Sequence, residues 1–518
     1  MNKKGGHLMK ISRFLFKNSL LFVLVLVFIL TTGIIVYGAE DNIVKSRMRL
    51  GEDIENLDPA HLVRGYDIAL VLYSNLMKYE PGSSELVNDA AENIEISEDG
   101  KVITFKLKEG IQFHKGYGEM TAEDVKFSFE RIIDPEQNSE YTADWQTLDR
   151  VEVTGKYTGR IILKEPLASL LTTTIPFTPG SIISKKAYEE LGQKFATTPV
   201  GSGPYYVEKW TPEQVLVLSK FPDYFEEQPN IDKIELYPIV DLNISEMNFD
   251  KGDLDVTEIS LDSIDRYKNE DKTDVHILST LKYGFIGFNH EYAPFDNINV
   301  RKALRHAIDV DMIIDGAYSG VPERANAMIA PGILGHWEDA PQYNVDYQKA
   351  KDLLAEAGYP DGFEVEMIST SNPLYMNTCQ IVKENLKNIG VEVNIKLIET
   401  SAWYEYVGKE SHPIMFFETF SLTLDPGYWV EWFTTEQVGK WNFLKWSNEE
   451  YDRLADEAAI TMDLEERENM YIDMQQIMDE EAAIIWVTNG AKAYVSNKRV
   501  SPEFLGHYNQ YRYWTIAN

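Results

Sequence analysis

The sequence holds a single cysteine, Cys379, which excludes an intramolecular disulfide framework and a cysteine-built zinc site. Positive charge is scarce: 49 Lys and Arg stand against 83 Asp and Glu, a formal net charge of −34. Nucleic acid is thereby excluded as a partner, because a phosphate backbone needs clustered basic side chains. Repeats with a period of roughly 20–50 residues are absent, as are Pro/Ser/Gly-rich linkers, so domains here share several chain crossings. Catalytic motifs are missing as well. His290-Glu291 runs into Tyr292-Ala293-Pro294 rather than a zincin helix, and Gly201-Ser202-Gly203 runs into Pro204 and a strand, where a dinucleotide site needs a helix N-terminus. The nine His are scattered, the acid pairs Glu449-Glu450, Glu465-Glu466 and Glu480-Glu481 read as solvated helix faces, and Cys379 reads as a buried, inert thiol on an apolar stripe. No catalytic constellation, metal site or cofactor is expected.

What is present is a long chain of ordinary globular composition, 518 residues with 44% hydrophobic content, enough for two or three domains. Lys3, Lys4, Lys10, Arg13 and Lys17 precede the apolar run Leu20–Val36, which reads as an export leader cleaved near Ala39 or as an uncleaved membrane anchor. Either way the body is expected outside the cytoplasm. Without residues 1–39 the body keeps 44 basic and all 83 acidic residues, a net charge of −39.

Hydrophobic periodicity predicts a mixed α and β protein. Ile94 and Ile96, the turn at 97–100, then Ile103, Phe105 and Leu107 predict a β-hairpin. Thr121 to Asp124 matches a capping box ahead of Val125, Phe129 and Ile132. Strands are expected at 151–163 and 214–218, and helices at 297–314, 347–357, 379–389 and 454–478. Val391 to Leu397 alternates as a strand directly after its helix, an α/β unit. Thirteen aromatic residues fall between Trp403 and Trp446, among them Trp429 one residue after Tyr428 and four before Phe433. Most are expected in a core, with two or three lining a pocket.

In order along the chain, Asn56-Leu57-Asp58-Pro59-Ala60, the stretch Glu95–Gly110, Phe113-His114, Thr121–Arg131, Pro199–Tyr205, Gly252–Asp255, Pro294–Asp296, Val300–Leu304, Ala307–Asp309 and Lys349–Phe363 resemble the family 5 extracellular solute-binding proteins of ABC importers, the peptide- and nickel-binding class. The resemblance covers residues 45–500. It implies an α/β, periplasmic-binding-protein-like two-lobed fold (type II, cluster C) with an extra domain beside lobe one. Lobe one would take 40–75, 200–284 and 488–518, the extra domain 76–199, and lobe two 285–487. It also implies a monomer that captures its ligand in the interlobe cleft by hinge closure and hands it to an ABC permease and its ATPase subunits.

Site residues follow from the same resemblance. Peptide-binding members hold the ligand ammonium on an Asp whose position falls at Leu422, just before Asp425-Pro426. Their carboxylate-binding Arg falls near Ser369, and no Arg occurs between Arg324 and Arg453. Both terminal charge anchors are thus expected to be absent, with Asp425 or Glu418 standing in for the first. Trp403 matches a Trp of the family pocket. Two ligand readings stay open: a peptide paired through its backbone, or a neutral, polyhydroxylated solute such as an oligosaccharide stacked on Trp403, Trp429 and Tyr375. A third reading, of another class, is a membrane-tethered receptor or chaperone-like binder that feeds no permease.

Overall fold

The computed structural model describes residues 42–518 apart from 82, 84, 400, 401, 404, 405, 408–411, 421–423, 507 and 518. The expected leader or anchor lies outside the described residues, as does Leu422. Two sheets organise the body. In chain order their strands are β1 (Ile43–Arg47), β2 (Tyr205–Thr211), β3 (Val215–Lys220), β4 (Lys233–Tyr237), β5 (Val256–Ile259), β6 (Thr273–Ser279), β7 (Lys282–Phe288), β8 (Glu364–Ser369), β9 (Glu392–Leu397), β10 (Ile414–Phe420), β11 (Ile484–Thr488) and β12 (Ala491–Asn497). The first sheet runs β2-β3-β4-β1-β5-β12-β6 and the second β9-β8-β10-β7-β11.

The chain passes between the sheets through two short connections. Thr280-Leu281 joins β6 to β7, and Asn489-Gly490 joins β11 to β12. The two lie side by side, since Ser279 pairs with Ala491 and Gly284 with Thr488. Thr280 Oγ1 donates to the Asn489 carbonyl at 2.8 Å, and Gly490 N–H donates to Thr488 Oγ1 at 3.0 Å. Gly490 has φ +72° and a Cβ there would meet Thr280 Oγ1 at 2.7 Å, so glycine is needed on both counts. The result is a narrow two-stranded ribbon.

Strand direction decides which ends face each other. β1 is parallel to β4 and β5, and β12 is antiparallel to both β5 and β6. The C-terminal ends of β1, β4, β5 and β6 therefore share the edge from which the ribbon leaves. In the second sheet β8, β9 and β10 are parallel while β7 runs against β10 and β11. Their C-terminal ends lie where β7 enters. Both sheets thus turn the same kind of end toward the ribbon, the end at which open α/β sheets offer loops and helix N-termini to ligands.

Residues 91–163 build a separate four-stranded sheet in the order 91–96, 102–107, 158–163, 148–153. The expected hairpin pairs Ile96 with Ile103 and Ile94 with Phe105. Thr121 and Asp124 form the expected capping box of the helix Ala122–Glu130, which buries Val125 and Phe129. The stretch 151–163, expected as strand throughout, is two antiparallel strands broken at 154–157.

Two long expected helices are also broken. Residues 297–314 divide into Ile298–Ala307 and Val310–Ala317, because Ile308 is extended and Asp309 caps the second helix by accepting from Met312 N–H at 2.9 Å. Likewise 454–478 divides into Glu449–Ile460 and Leu464–Glu480, with Asp463 accepting from Glu466 N–H at 3.0 Å. Both caps satisfy N–H groups that a helix N-terminus leaves open. Gly201 and Gly203 press against the Leu72 and Val71 carbonyls, so that loop serves close backbone approach.

Candidate functional site

The second sheet brings several expected site residues to its ribbon-facing edge. The helix Pro373–Lys387 follows β8, with Asn372 as its cap and proline at its start, where φ is pre-set and no N–H is lost. Its first turn carries Tyr375. That hydroxyl donates to the Glu418 carbonyl at 3.2 Å and accepts from Glu418 N–H at 3.1 Å, locking helix to strand. The Tyr375 ring meets Trp403 edge-on at 5.5 Å and Phe416 at 5.0 Å. Ser369, the last residue of β8, is buried, and its hydroxyl donates to the Thr370 carbonyl at 3.3 Å. Trp429 is buried against Tyr283 of β7, ring centroids 4.3 Å apart.

The indole N–H groups of Trp403 and Trp429 are buried and make no hydrogen bond. A buried donor without an acceptor carries an appreciable desolvation cost, about 1–3 kcal/mol. Two such donors on one lobe mark places where an acceptor is wanted.

The two acids differ. Glu418 Oε2 pairs with Lys282 Nζ at 2.9 Å while Oε1 accepts from the Tyr318 hydroxyl at 3.1 Å. Lys282 keeps 39% of its side chain exposed against 12% for Glu418, so this cation is part-solvated. Asp425 is sealed. Arg467 grips both its oxygens, the Nη2–Oδ1 distance being 2.8 Å, and Gly427 N–H donates to Oδ1 at 2.8 Å. The Thr172 hydroxyl, from the extra domain, donates to Oδ2. Exposure is 1% for Arg467 and 2% for Asp425. The carboxylate expected to meet a ligand amine is engaged inside the protein.

The first sheet's edge holds residues that sequence reasoning missed. Arg47 ends β1 and is saturated, donating from Nε to the Ile239 carbonyl at 2.7 Å and from Nη1 to Glu258 Oε2 at 3.0 Å. Lys492 shares the same Glu258 at 3.0 Å, and burial pushes its pKa down. Two residues on, Arg49 is 6% exposed and lies over the Tyr508 ring at 4.9 Å.

An apolar cluster of Tyr79, Phe177, Leu281, Leu424, Leu505 and Tyr508 joins these surfaces. It draws on the extra domain, the ribbon, the second lobe and the C-terminal return. Further contacts flank it: Ala168 N–H donates to the Ala459 carbonyl at 2.9 Å, and the Ser319 hydroxyl to Asp262 Oδ1 at 2.9 Å. No group of three or more His, Cys, Asp or Glu that could hold a metal occurs among the described residues. Cys379 is fully buried and its thiol pKa is pushed up to about 11 by burial.

Two sheets joined by a ribbon, with facing strand ends and an extra domain beside the first, define a two-lobed solute-binding architecture. A family model described as bacterial extracellular solute-binding proteins, family 5 Middle, matches residues 85–441, and the chain belongs to this family. It is 28% identical over 466 residues to heme-binding protein A of Haemophilus influenzae, with 84% of each chain covered. It is 26% identical over 475 residues to the dipeptide-binding protein of Escherichia coli, covering 84% of this chain and 87% of that one. Among solved structures, HbpA2 from Haemophilus parasuis is similar with a TM-score of 0.84 and 24% identity, over 92% of this chain and all of that one. The chain is accordingly a non-enzymatic, extracytoplasmic component of an ABC importer, working with a membrane permease and its ATPase subunits.

Proposed function

We propose that this protein captures a small solute, foremost a peptide, between the ribbon-facing edges of its two sheets and delivers it to its permease by closure about the ribbon. The observation that carries the reading is the cluster of Tyr79, Phe177, Leu281, Leu424, Leu505 and Tyr508, since a ligand touching both lobes there favours the closed form by its differential contacts. Lobe one is then 40–75, 200–284 and 488–518, the extra domain 76–199 and lobe two 285–487, with the hinge at 280–281 and 489–490. The leader exports the chain, which acts as a monomer, cleaved or anchored.

Within that seat Trp403, Tyr375, Trp429 and Ser369 form the lobe-two wall, and the two free indole N–H groups donate to ligand oxygens. The ligand amine goes to Glu418. Its partner Lys282 is 39% exposed and can turn into solvent, which leaves Glu418 to pair with a ligand ammonium instead. Asp425 is left to its buried pair with Arg467. The relatives named for dipeptides and for heme support a cleft adaptable in its cargo.

Calorimetry with tri- to pentapeptides tests this, with X-ray scattering to follow closure. Glu418→Gln is expected to weaken a peptide with a free amine by about tenfold, roughly 1.4 kcal/mol, and to leave its N-acetylated form unaffected. Binding of oligosaccharides with no response to any peptide overturns the peptide reading and favours the stacking one.

A further inference from the structure

Arg49 is a nearly buried cation for which the fold supplies no hydrogen-bond acceptor. Its nearest carboxylate oxygen, Asp67 Oδ1, stands 3.9 Å from Nε, beyond hydrogen-bond reach. Asp67 is occupied elsewhere, its Oδ2 accepting from Asn509 Nδ2 at 3.0 Å. The Arg49 Nε is buried without a partner, and so is the Tyr494 hydroxyl in the same charged surroundings. Neighbouring cations are served differently: Arg47 donates to carbonyls and to Glu258, and Lys492 shares that Glu258. Arg47, Arg49 and Lys492 against Glu258 and Asp67 leave one positive charge in excess, in a body whose net charge is −39.

Location gives the excess a use. Arg49 follows the C-terminal end of β1, at the sheet edge that faces the second lobe. It lies on Tyr508, whose ring meets Tyr66 edge-on at 5.9 Å and which belongs to the cluster spanning both lobes. Tyr66 and Tyr508 wall a small cavity of about 30 Å³ that reaches Thr173, Phe177 and Asp144 of the extra domain. A guanidinium in such low-dielectric surroundings gains more from an oxyanion than it would in water, and its planar fork suits a carboxylate or phosphate.

We infer that Arg49, with the Tyr494 hydroxyl, is the anchor for an anionic group of the ligand, a carboxylate or a phosphate ester, placed on the lobe-one wall instead of the lobe-two wall. The inference rests on the seat between the sheets proposed above and adds to it the charge of the cargo. It also gives the missing lobe-two arginine a replacement, 320 positions from Ser369.

The test uses the full-length chain and matched probes: trialanine against trialanine amide, and glucuronate and glucose 6-phosphate against glucose. In the wild type the acid of any pair that binds is expected to bind at least about tenfold tighter than its neutral partner. In Arg49→Gln that preference falls to within about twofold. Arg49→Lys keeps the charge but not the fork, and is expected to retain a reduced preference, which separates anchoring from a folding defect. An acid preference that survives Arg49→Gln, or no acid binding at all, overturns the inference. Arg49-dependent binding of a sugar acid or sugar phosphate without any of trialanine keeps the anchor and removes the peptide reading.

Discussion

Two buried arginines, one on each lobe, meet opposite fates. Arg467, on lobe two, grips Asp425 with both arms of its fork and gives its Nε to the Ala458 carbonyl at 2.9 Å. Arg49, on lobe one, has an aromatic ring beneath it and no acceptor. Burial is alike, 1% and 6% exposure, so burial alone does not tell a structural charge from a functional one. Satisfaction does. A charge whose donors are all used holds the fold, whereas one left open costs free energy that only an incoming partner offsets.

The contrast is sharpest in stability. Arg467→Ala strands the Asp425 carboxylate and is expected to cost about 3–5 kcal/mol in chemical denaturation. Arg49→Gln is expected to leave the unliganded protein within about 1 kcal/mol of wild type, because it removes a charge that was poorly compensated. Equal losses in the two variants would erase the distinction.

A smaller effect comes from a part-buried acid of the extra domain. Burial raises the Asp144 pKa to about 6, with no cation among the causes. Above its ordinary range the folded state holds this proton more tightly than the unfolded chain does. The contribution therefore favours the fold below about pH 4 and is lost as pH rises through 6. Asp144→Asn is expected to stabilise the protein by about 1–3 kcal/mol at pH 7 and to flatten that part of the pH profile of unfolding. Thr172→Val removes one hydroxyl donor from Asp425 and is expected to cost about 1–2 kcal/mol, read from the midpoint of thermal unfolding.

Local features were legible in the sequence because they depend on neighbours in the chain. The hairpin 91–107, the Thr121–Asp124 box and the helix ending ahead of Gly358, with its φ of +92°, are of this kind. The breaks at Asp309 and Asp463 were readable as caps, but the apolar period running through them outweighed a single acid. Aromatic density drew attention to Trp429 and the family resemblance to Trp403, but their buried, unbonded indole N–H groups were not readable from the chain. Glu418 and Asp425 were singled out, but their partners were not, because Lys282 lies 136 positions from Glu418 and Arg467 lies 42 from Asp425. Arg49 carried no signal of its own: an unmet hydrogen bond is a property of three dimensions.

The ribbon has a topological consequence. Ser279 and Ala491 are partners in the antiparallel ladder of the first sheet, so β6 and β12 have the geometry of a hairpin whose turn has been opened. Everything from Thr280 to Gly490 is carried in that opening, about two-fifths of the chain threaded through the place where two turn residues would suffice. The second lobe is thus an insertion into a tight turn of the first. Its entry and exit strands stay hydrogen-bonded to each other, so they enter and leave it as one stem.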